Sequence, residues 1–273
     1  MIAPNQLIDR TALLRHRQRR LRQRGTFLHN LAISDVQDRL LMVNKSFKDV
    51  AIVTGWADPW AQAFPSARII EDSDTLDLHL QSCDLVIHGL SLHSANDPVG
   101  QIIQCSRALH PDGLFIGICF GGQTLQELRS ALATAESQIT GGLSPRVFPM
   151  ADVRDLGALL QRANLALPVA DSATQNVTYP TLRALMHDLR AMGEANAMTG
   201  RTRHFTSKTL FERASEIYKS EFSNVEGHLM TTFEQIFLTG WAPDESQQKP
   251  LRPGSAKMRL ADALGVAEQH LKD

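Results

Sequence analysis

The side chains best suited to chemistry gather in one short stretch, Gly89-Leu90-Ser91-Leu92-His93-Ser94-Ala95-Asn96-Asp97-Pro98, directly after the apolar run Asp84 to His88. His93 can exchange a proton near neutral pH, Asp97 can act as a carboxylate base, and Asn96 can orient a polar substrate. Asp97 also reads as a helix cap, with proline at the first helical position, and the two roles are compatible. A second set lies earlier. Thr54-Gly55 closes the apolar run Val50 to Val53, and Glu71 and Asp72 close the run Ala67 to Ile70. In nucleoside-binding α/β domains, a glycine turn after the first strand lets backbone amides approach the ligand, while an acid ending the second holds the ribose hydroxyls. Here the turn keeps one glycine and continues Trp56-Ala57-Asp58-Pro59-Trp60. Pro59 removes a backbone donor, and the two indoles are expected to fill space that a nucleoside would use.

A third group, Arg146, Arg154, Arg183, Asp188, Arg190, Glu194, Asn196, Arg201 and Arg203, could line a polar cleft for a carboxylate-bearing or peptide substrate, or form a solvated helix face. His88 and His93 lack an accompanying cysteine or carboxylate pattern, so no metal ligand set is expected. Neither a phosphate-binding Gly-rich loop ending in Lys-Ser/Thr nor a Gly-x-Ser-x-Gly elbow occurs, which disfavours kinase, ATPase and serine-hydrolase chemistry. Cys83, Cys105 and Cys119 are widely spaced and odd in number, and read as buried apolar residues of a reduced, cytoplasmic protein.

The elements that would carry these groups follow from periodicity. Short apolar runs at 50–53, 67–70, 84–88 and 113–120 alternate with helical stretches, the pattern of a parallel sheet covered on both faces. Pro98 to Leu109 suits a crossover helix. Thr124 with Glu127 reads as a capping box opening another helix, and Asp152 as the cap of a third. Between Glu71 and Asp84 only twelve residues are available, too few for a helix and a returning parallel strand, so the sheet edge should be pared down near residues 72–83. Strands are expected at 165–169 and 233–238, a helical insertion over 172–230, and a terminal helix over 257–273. Residues 1–48 form a basic helical segment ahead of the α/β domain at 49–256.

Composition sets outer bounds. With 43% hydrophobic and 21% charged residues among 273, the chain can bury a sizeable core. Net charge is −1, giving no general reason to bind nucleic acid. The charge is uneven, however. The first 24 residues hold seven arginines against one acid, Asp9. That run reads as a solvated helix face, or as a peripheral contact of residues 10–24 with phosphate, acidic lipid or an acidic protein. No apolar run approaches the ~20 residues that span a bilayer.

Longer motifs add a resemblance. Asp84-Leu-Val-Ile-His88, Leu90-Ser-Leu-His93, Asn96-Asp97-Pro98 and His110-Pro-Asp-Gly-Leu-Phe115 resemble class I S-adenosylmethionine-dependent methyltransferases. Phe120-Gly-Gly-Gln-Thr-Leu-Gln-Glu-Leu-Arg129, Gly141-Gly-Leu-Ser-Pro-Arg146, Leu189-Arg-Ala-Met-Gly-Glu194 and Gly240-Trp241 resemble one branch, containing the complex I assembly-factor arginine hydroxylases, their bacterial relatives and the malonyl-carrier-protein methyltransferases of biotin synthesis. The resemblance implies a Rossmann-like sheet of seven strands, mostly parallel with an antiparallel last strand. It implies S-adenosylmethionine over the ends of the first, second and central strands, held by Thr54, Gly55, Glu71 or Asp72, and His88, Gly89 and Leu90. His93 and Asp97 would serve catalysis. Asn96, Gln123, Arg146, Arg190 and Glu194 would face a protein partner or a protein- or carrier-bound substrate. The family's acidic-x-Gly-x-Gly-x-Gly signature is missing, so the donor loop is degenerate. A non-catalytic assembly protein of the same fold and a protein-arginine hydroxylase are the alternative readings.

Overall fold

In the computed structural model, which describes residues 6–20 and 25–248, the chain divides into a unit Met1–Pro243 and a second unit Asp244–Asp273. The helix expected at 257–273 lies outside the described residues.

The first unit holds one six-stranded sheet in the order β2-β1-β3-β4-β6-β5. β1 (Val50–Thr54), β2 (Arg68–Ile70), β3 (Cys83–Gly89) and β4 (Leu109–Phe120) run parallel, and β6 (Leu229–Trp241) lies antiparallel between β4 and β5 (Ala166–Tyr179). Alternation along each strand separates two cores. Ile52, Leu85, Ile87, Ile116 and Ile118 face α2 (Phe27–Met42), α5 (Gln126–Thr140), α7 (Leu182–Ala191) and α8 (Lys208–Glu221). Ala51, Val53, Val86, Phe115 and Cys119 face α4 (Pro98–Ala108) and α6 (Val153–Arg162). Both faces are therefore covered, as near-continuous apolar strands require. All three cysteines are free and buried, and burial pushes the Cys119 thiol up to about 12.

Six strands form among the described residues, one fewer than the resemblance implies. The missing element is the edge beyond β2. Residues 71–82 run without helix or strand, and two glutamines of α4 bind their backbone instead. Gln101 Nε2 donates to Ser73 O (3.0 Å), Gln104 Nε2 to Asp74 O (3.0 Å), and Gln104 Oε1 accepts from Leu76 N (2.8 Å). Buried Leu76 supplies the apolar anchor a returning strand would have given.

Two other expectations need correction. The helical insertion does not begin at residue 172, because β5 continues to Tyr179 and pairs with β6 down to Tyr179 opposite Leu229. Residues 172–179 alternate exposed Ser172, Thr174, Asn176 and Thr178 with more buried Ala173, Gln175, Val177 and Tyr179, a half-buried strand pattern that the expected helix overlooked. The capping box also fails to form. α5 starts at Gln126 after Leu125, which takes the left-handed conformation (φ 56°). Thr124 exchanges hydrogen bonds with the backbone of Glu234, and the Glu127 carboxylate accepts from Thr232 N and Oγ1. Facing β6, these side chains pin the start of α5 to the sheet rather than to its own first turn.

At the amino end, α1 (Arg10–Arg20) carries Ala12 and Leu13 into a small apolar cluster with Ile8 and Ala197, separate from both main cores. Ile8 pairs with Met198 as an isolated antiparallel bridge, and Asp9 binds Arg201 (2.9 Å). These ties lay α1 across the carboxyl ends of β1 and β2.

Candidate functional site

The carboxyl ends of the parallel strands carry two adjoining depressions. The first is the cradle above β1 and β2. Of the two candidate acids, Glu71 is exposed and Asp72 turns inward, 2% exposed. Thr54 Oγ1 donates to Gly89 O (2.9 Å) and accepts from Trp56 N (3.1 Å), fixing the turn that holds Gly55.

Directly over Gly55 stands a guanidinium rather than an indole, and an open depression of about 290 Å³ remains beside it, lined by Leu14, Gln18, Thr54, Ala57 and Glu71. Trp56 and Trp60 point into the core, where Trp60 Nε1 donates to His29 Nδ1 (3.1 Å) and Trp56 lies against the same imidazole, centroids 4.9 Å apart. Trp60 packs so tightly under Gly89 that a Cβ there would come within 2.6 Å of the ring. What occupies the cradle is Arg17, itself only 5% exposed. A Cβ on Gly55 would collide with its guanidinium. Arg17 Nη1 donates to Asp72 Oδ1 (2.9 Å) and Oδ2 (2.8 Å), Nη2 to Ser94 Oγ (3.1 Å), and Arg10 Nη2 adds a third bond to Asp72 Oδ1 (3.0 Å). Burial alone would raise the Asp72 carboxyl, but Arg17 and Arg10 outweigh it and hold the group below its ordinary value.

Two of the N-terminal arginines therefore spend their charge inside the chain rather than on a solvated face or an outside partner. Arg15 and Arg19 remain exposed, while residues 21–24 lie outside the described part. A sequence signal for this existed. Arg10 and Arg17 are seven apart, with Leu13 and Leu14 between them, and so share one helix face.

The second depression is a cavity of about 250 Å³ beside the ends of β3 and β4. Leu125 just ahead of α5, Leu128 within it, Leu189 of α7, Phe120 and Phe233 give it apolar walls. Its polar end comes from the segments that the sequence singled out. Leu90 takes φ +48° at the end of β3 and turns the chain into a short 3-10 turn, Leu92–Ser94, which delivers His93. His93 is 3% exposed, its ring tilted on Phe120 at 4.7 Å and its Nε2 3.3 Å from Glu194 Oε2. His93 Nδ1 is buried without a hydrogen-bond partner among the described residues. Glu194 follows the end of α7 and is 17% exposed. Burial would raise its carboxyl, yet His93, Arg17 and His29 together hold it low and charged. A carboxylate with spare acceptor capacity at the end of an apolar cavity suits a donor-rich ligand head on an apolar stem.

The remaining expected site residues are placed as follows. Arg146 lines the cavity but forks onto Glu136 (Nη2–Oε1 2.6 Å, Nε–Oε2 3.0 Å), holding that carboxyl down to about 2. Arg190 lines the cavity from the last turn of α7 and is exposed. Asn96 is consumed by the backbone of Ile8, accepting from its N (2.9 Å) and donating to its O (3.2 Å). Asp97 caps α4 by accepting from Gly100 N (2.8 Å) and is exposed outside the cavity wall. Gln123 is exposed, its backbone N donating to Glu234 Oε2 (3.0 Å). His88 is wholly buried, bonded to Gln101 (2.7 Å), and burial lowers its affinity for a proton; it is a neutral core residue. Among the described residues, one group of three possible metal ligands occurs: Asp49, Asp84 and His110. It lies at the amino ends of β1, β3 and β4, the end of the sheet opposite the cavity.

The donor implied by the fold fits this cradle poorly, because a guanidinium already sits on the acid that would hold ribose hydroxyls. No helix among the described residues is long and apolar enough to cross a membrane.

Comparison with known proteins places this arrangement. No family model matches the chain. It is 43% identical over 188 residues to the mitochondrial arginine-hydroxylase NDUFAF5 of Dictyostelium discoideum, covering 68% of this chain and 43% of that protein. The zebrafish (Danio rerio) protein of the same name is 37% identical over 204 residues, covering 75% and 63%. A malonyl-[acyl-carrier protein] O-methyltransferase of Laribacter hongkongensis is 31% identical over 188 residues, covering 69% and 61%. The matches thus span between 43% and 63% of these relatives' own lengths. A crystal structure of a candidate methyltransferase from Bacillus halodurans superposes with a TM-score of 0.50 at 13% identity, covering 77% of this chain and 100% of that one. With the strand order, the antiparallel β6 and these comparisons in hand, the chain has the class I methyltransferase fold, and its homologues in sequence are proteins named arginine-hydroxylase and malonyl-[acyl-carrier protein] O-methyltransferase.

Proposed function

We propose that this protein binds an arginine side chain carried by a partner protein, taking it into the cavity between α5 and α7. The observation that carries the reading is the ionised Glu194 at the polar end of a largely apolar cavity, with a 3.3 Å contact from His93 as its side-chain bond among the described residues. Leu125, Leu128, Phe120 and Phe233 would cover the methylene stem, and Glu194 would receive the guanidinium as a forked pair. The relatives named arginine hydroxylases support this choice of side chain.

Methyl transfer from S-adenosylmethionine, the activity that the methyltransferase homologues suggest, would require the cradle that Arg17 occupies, and no transfer step is assigned to the chain in this closed form. The reading is a binding or assembly role on a protein, built on a methyltransferase fold. One observation favours a second occupant. Exposed Arg190 in the cavity wall could meet the acidic end of a carrier-borne acyl chain, as the malonyl-carrier relatives suggest.

The test compares blocked arginine, N-acetyl-arginine amide, with blocked lysine and blocked citrulline by ligand-observed NMR. Arginine should bind, citrulline should not, and Glu194→Gln should weaken arginine by about tenfold, or ~1.4 kcal/mol. Equal affinity for arginine and citrulline would refute it. Binding of a malonyl thioester in their place would establish the second occupant instead.

A further inference from the structure

β5 closes the sheet on one side, and its two halves meet that position differently. At residues 166–170 the edge is protected: Pro168 has no N–H to offer, the ladder to β6 shifts register between Ala166 and Val169, and Ala170 packs under Gly157 of α6. From Ser172 to Tyr179 none of these devices is present. The strand there has no proline, lysine or bulge, and the one charge in β5, Asp171, is already bound by Arg39 (2.6 and 2.8 Å). This half also overhangs its neighbours. Pairing of β4 with β6 ends at Phe120 opposite Gln235, whereas β5 and β6 pair on to Tyr179 opposite Leu229. Loops satisfy the inner edge of that two-stranded ribbon: Glu234 O accepts from Gly121 N (2.9 Å), Thr232 O from Leu125 N (2.8 Å), and Met230 N donates to Phe222 O (2.8 Å). The outer edge is bare. Outside the β5–β6 ladder, no hydrogen bond among the described residues reaches the backbone of residues 171–179.

We propose that residues 171–179 pair antiparallel with the same residues of a second copy of this chain, about a two-fold axis at Gln175, joining two sheets into one. An outward row of N–H and C=O groups with no device against pairing is a template for another strand, and a two-stranded ribbon is marginal without a third. Charge selects a second copy as that strand. Two-fold pairing sets a strand against itself, so like charges would repel across it, and residues 172–179 carry none. With the axis at Gln175, Asp171 falls opposite Tyr179 of the second copy and not opposite another Asp171. The side chains match in kind: Ala173 meets Val177, and exposed Ser172 and Thr174 meet exposed Thr178 and Asn176. None of these residues lines the cavity, so the inference does not depend on what enters it.

Sedimentation equilibrium of the full chain across the micromolar range tests this. The unaltered protein should pass from monomer to dimer as its concentration rises. Thr174→Lys with Asn176→Lys should weaken that association by about tenfold or more, because each lysine would face another across the axis. Both side chains are exposed, so the fold should be kept, which circular dichroism checks. Should the double variant not fold, cross-linking provides the second reading. Gln175→Cys should oxidise to a covalent dimer, since each sulfur meets its counterpart at the axis, and Ser172→Cys should not, because it faces Thr178 of the second copy. A chain that stays monomeric throughout overturns the proposal, whether the edge is then left to water or kept for a strand of another protein. A dimer undiminished by the two lysines overturns it as well, as does a dimer that Gln175→Cys fails to cross-link.

Discussion

The cradle and the cavity lie side by side on one sheet and are built by opposite means. In the cradle the buried acid is already met by the chain's own charge: one acid, two arginines and a serine account for one another almost completely. The cavity is apolar and incompletely satisfied, with an imidazole nitrogen that no described residue bonds and a carboxylate in one long contact. A region whose polar groups already have partners resists new ligands, because each must displace bonds before it forms any. A region with spare donors and acceptors and unfilled volume invites one. On the reading proposed above, the cradle serves as structure and the cavity as the binding site.

The largest effect should come from breaking the closed region. Asp72→Ala leaves two arginines without their acid, one of them 5% exposed, and should cost about 3–5 kcal/mol in urea unfolding. Replacing the pair together, Asp72→Leu with Arg17→Met, should recover most of that loss, since no buried charge is then stranded. Acid probes the same contact without mutation. Asp72 has a folded pKa held below its unfolded one, so its contribution is present above the unfolded value near 3.8 and is lost as pH falls through the folded value. Hydrogen exchange of the α1 amides should therefore stay slow from neutral pH down to about 4 and speed up below it. Uniform exchange across that range, once corrected for intrinsic rates, would mean that α1 is held by something other than this carboxylate.

Next in size is an attempt to abolish the second region. Leu128 is buried in the cavity wall, and Leu128→Phe adds volume toward the void. Cavity filling of this kind should raise stability by about 0.5–2 kcal/mol while eliminating arginine binding. The same enlargement at Leu85, 1% exposed in the core against α2 and α5, should destabilise by about 1–3 kcal/mol. Opposite signs at the two leucines would confirm that the void is real. Destabilisation at both would mean that the cavity closes in solution.

Much of this was legible in the sequence, and the failures have physical causes. Period-two and period-3.6 patterns located β1, β3, β4 and α4, and counting twelve residues between Glu71 and Asp84 foretold the pared edge, because chain length is a hard limit. Asp97 with Pro98 fixed a helix start because capping is local. Thr124 and Glu127 present an equally good local pattern, yet β6 lies close enough to take both side chains, and a tertiary partner won. The partner of Arg17 was invisible for the same reason. Spacing puts Arg10 and Arg17 on one helix face with the leucines between them, but nothing in sequence shows that this face meets an acid 55 residues downstream. His93 and Glu194 were each singled out, but their pairing across 101 residues needed the fold.

The smallest effect on stability should accompany a large one on binding, at His93. Its Nδ1 is buried without a partner, a state that ordinarily costs about 1–3 kcal/mol, and its ring rests on Phe120. His93→Phe removes that unsatisfied nitrogen and keeps an aromatic contact, but it also takes the one described hydrogen-bond donor from Glu194. The two terms oppose each other, so the unfolding free energy should change by less than about 1 kcal/mol. Binding has no such compensation. If the imidazole helps to place Glu194 for an incoming guanidinium, His93→Phe should weaken blocked arginine severalfold, and His93→Gln, which restores a donor, should recover part of the loss. A residue kept for packing alone would show the reverse: stability lost in both variants and arginine binding untouched. That outcome would erase the contrast between a finished cradle and an unfinished cavity, because the cavity's polar end would then be a defect of packing rather than a place for a ligand.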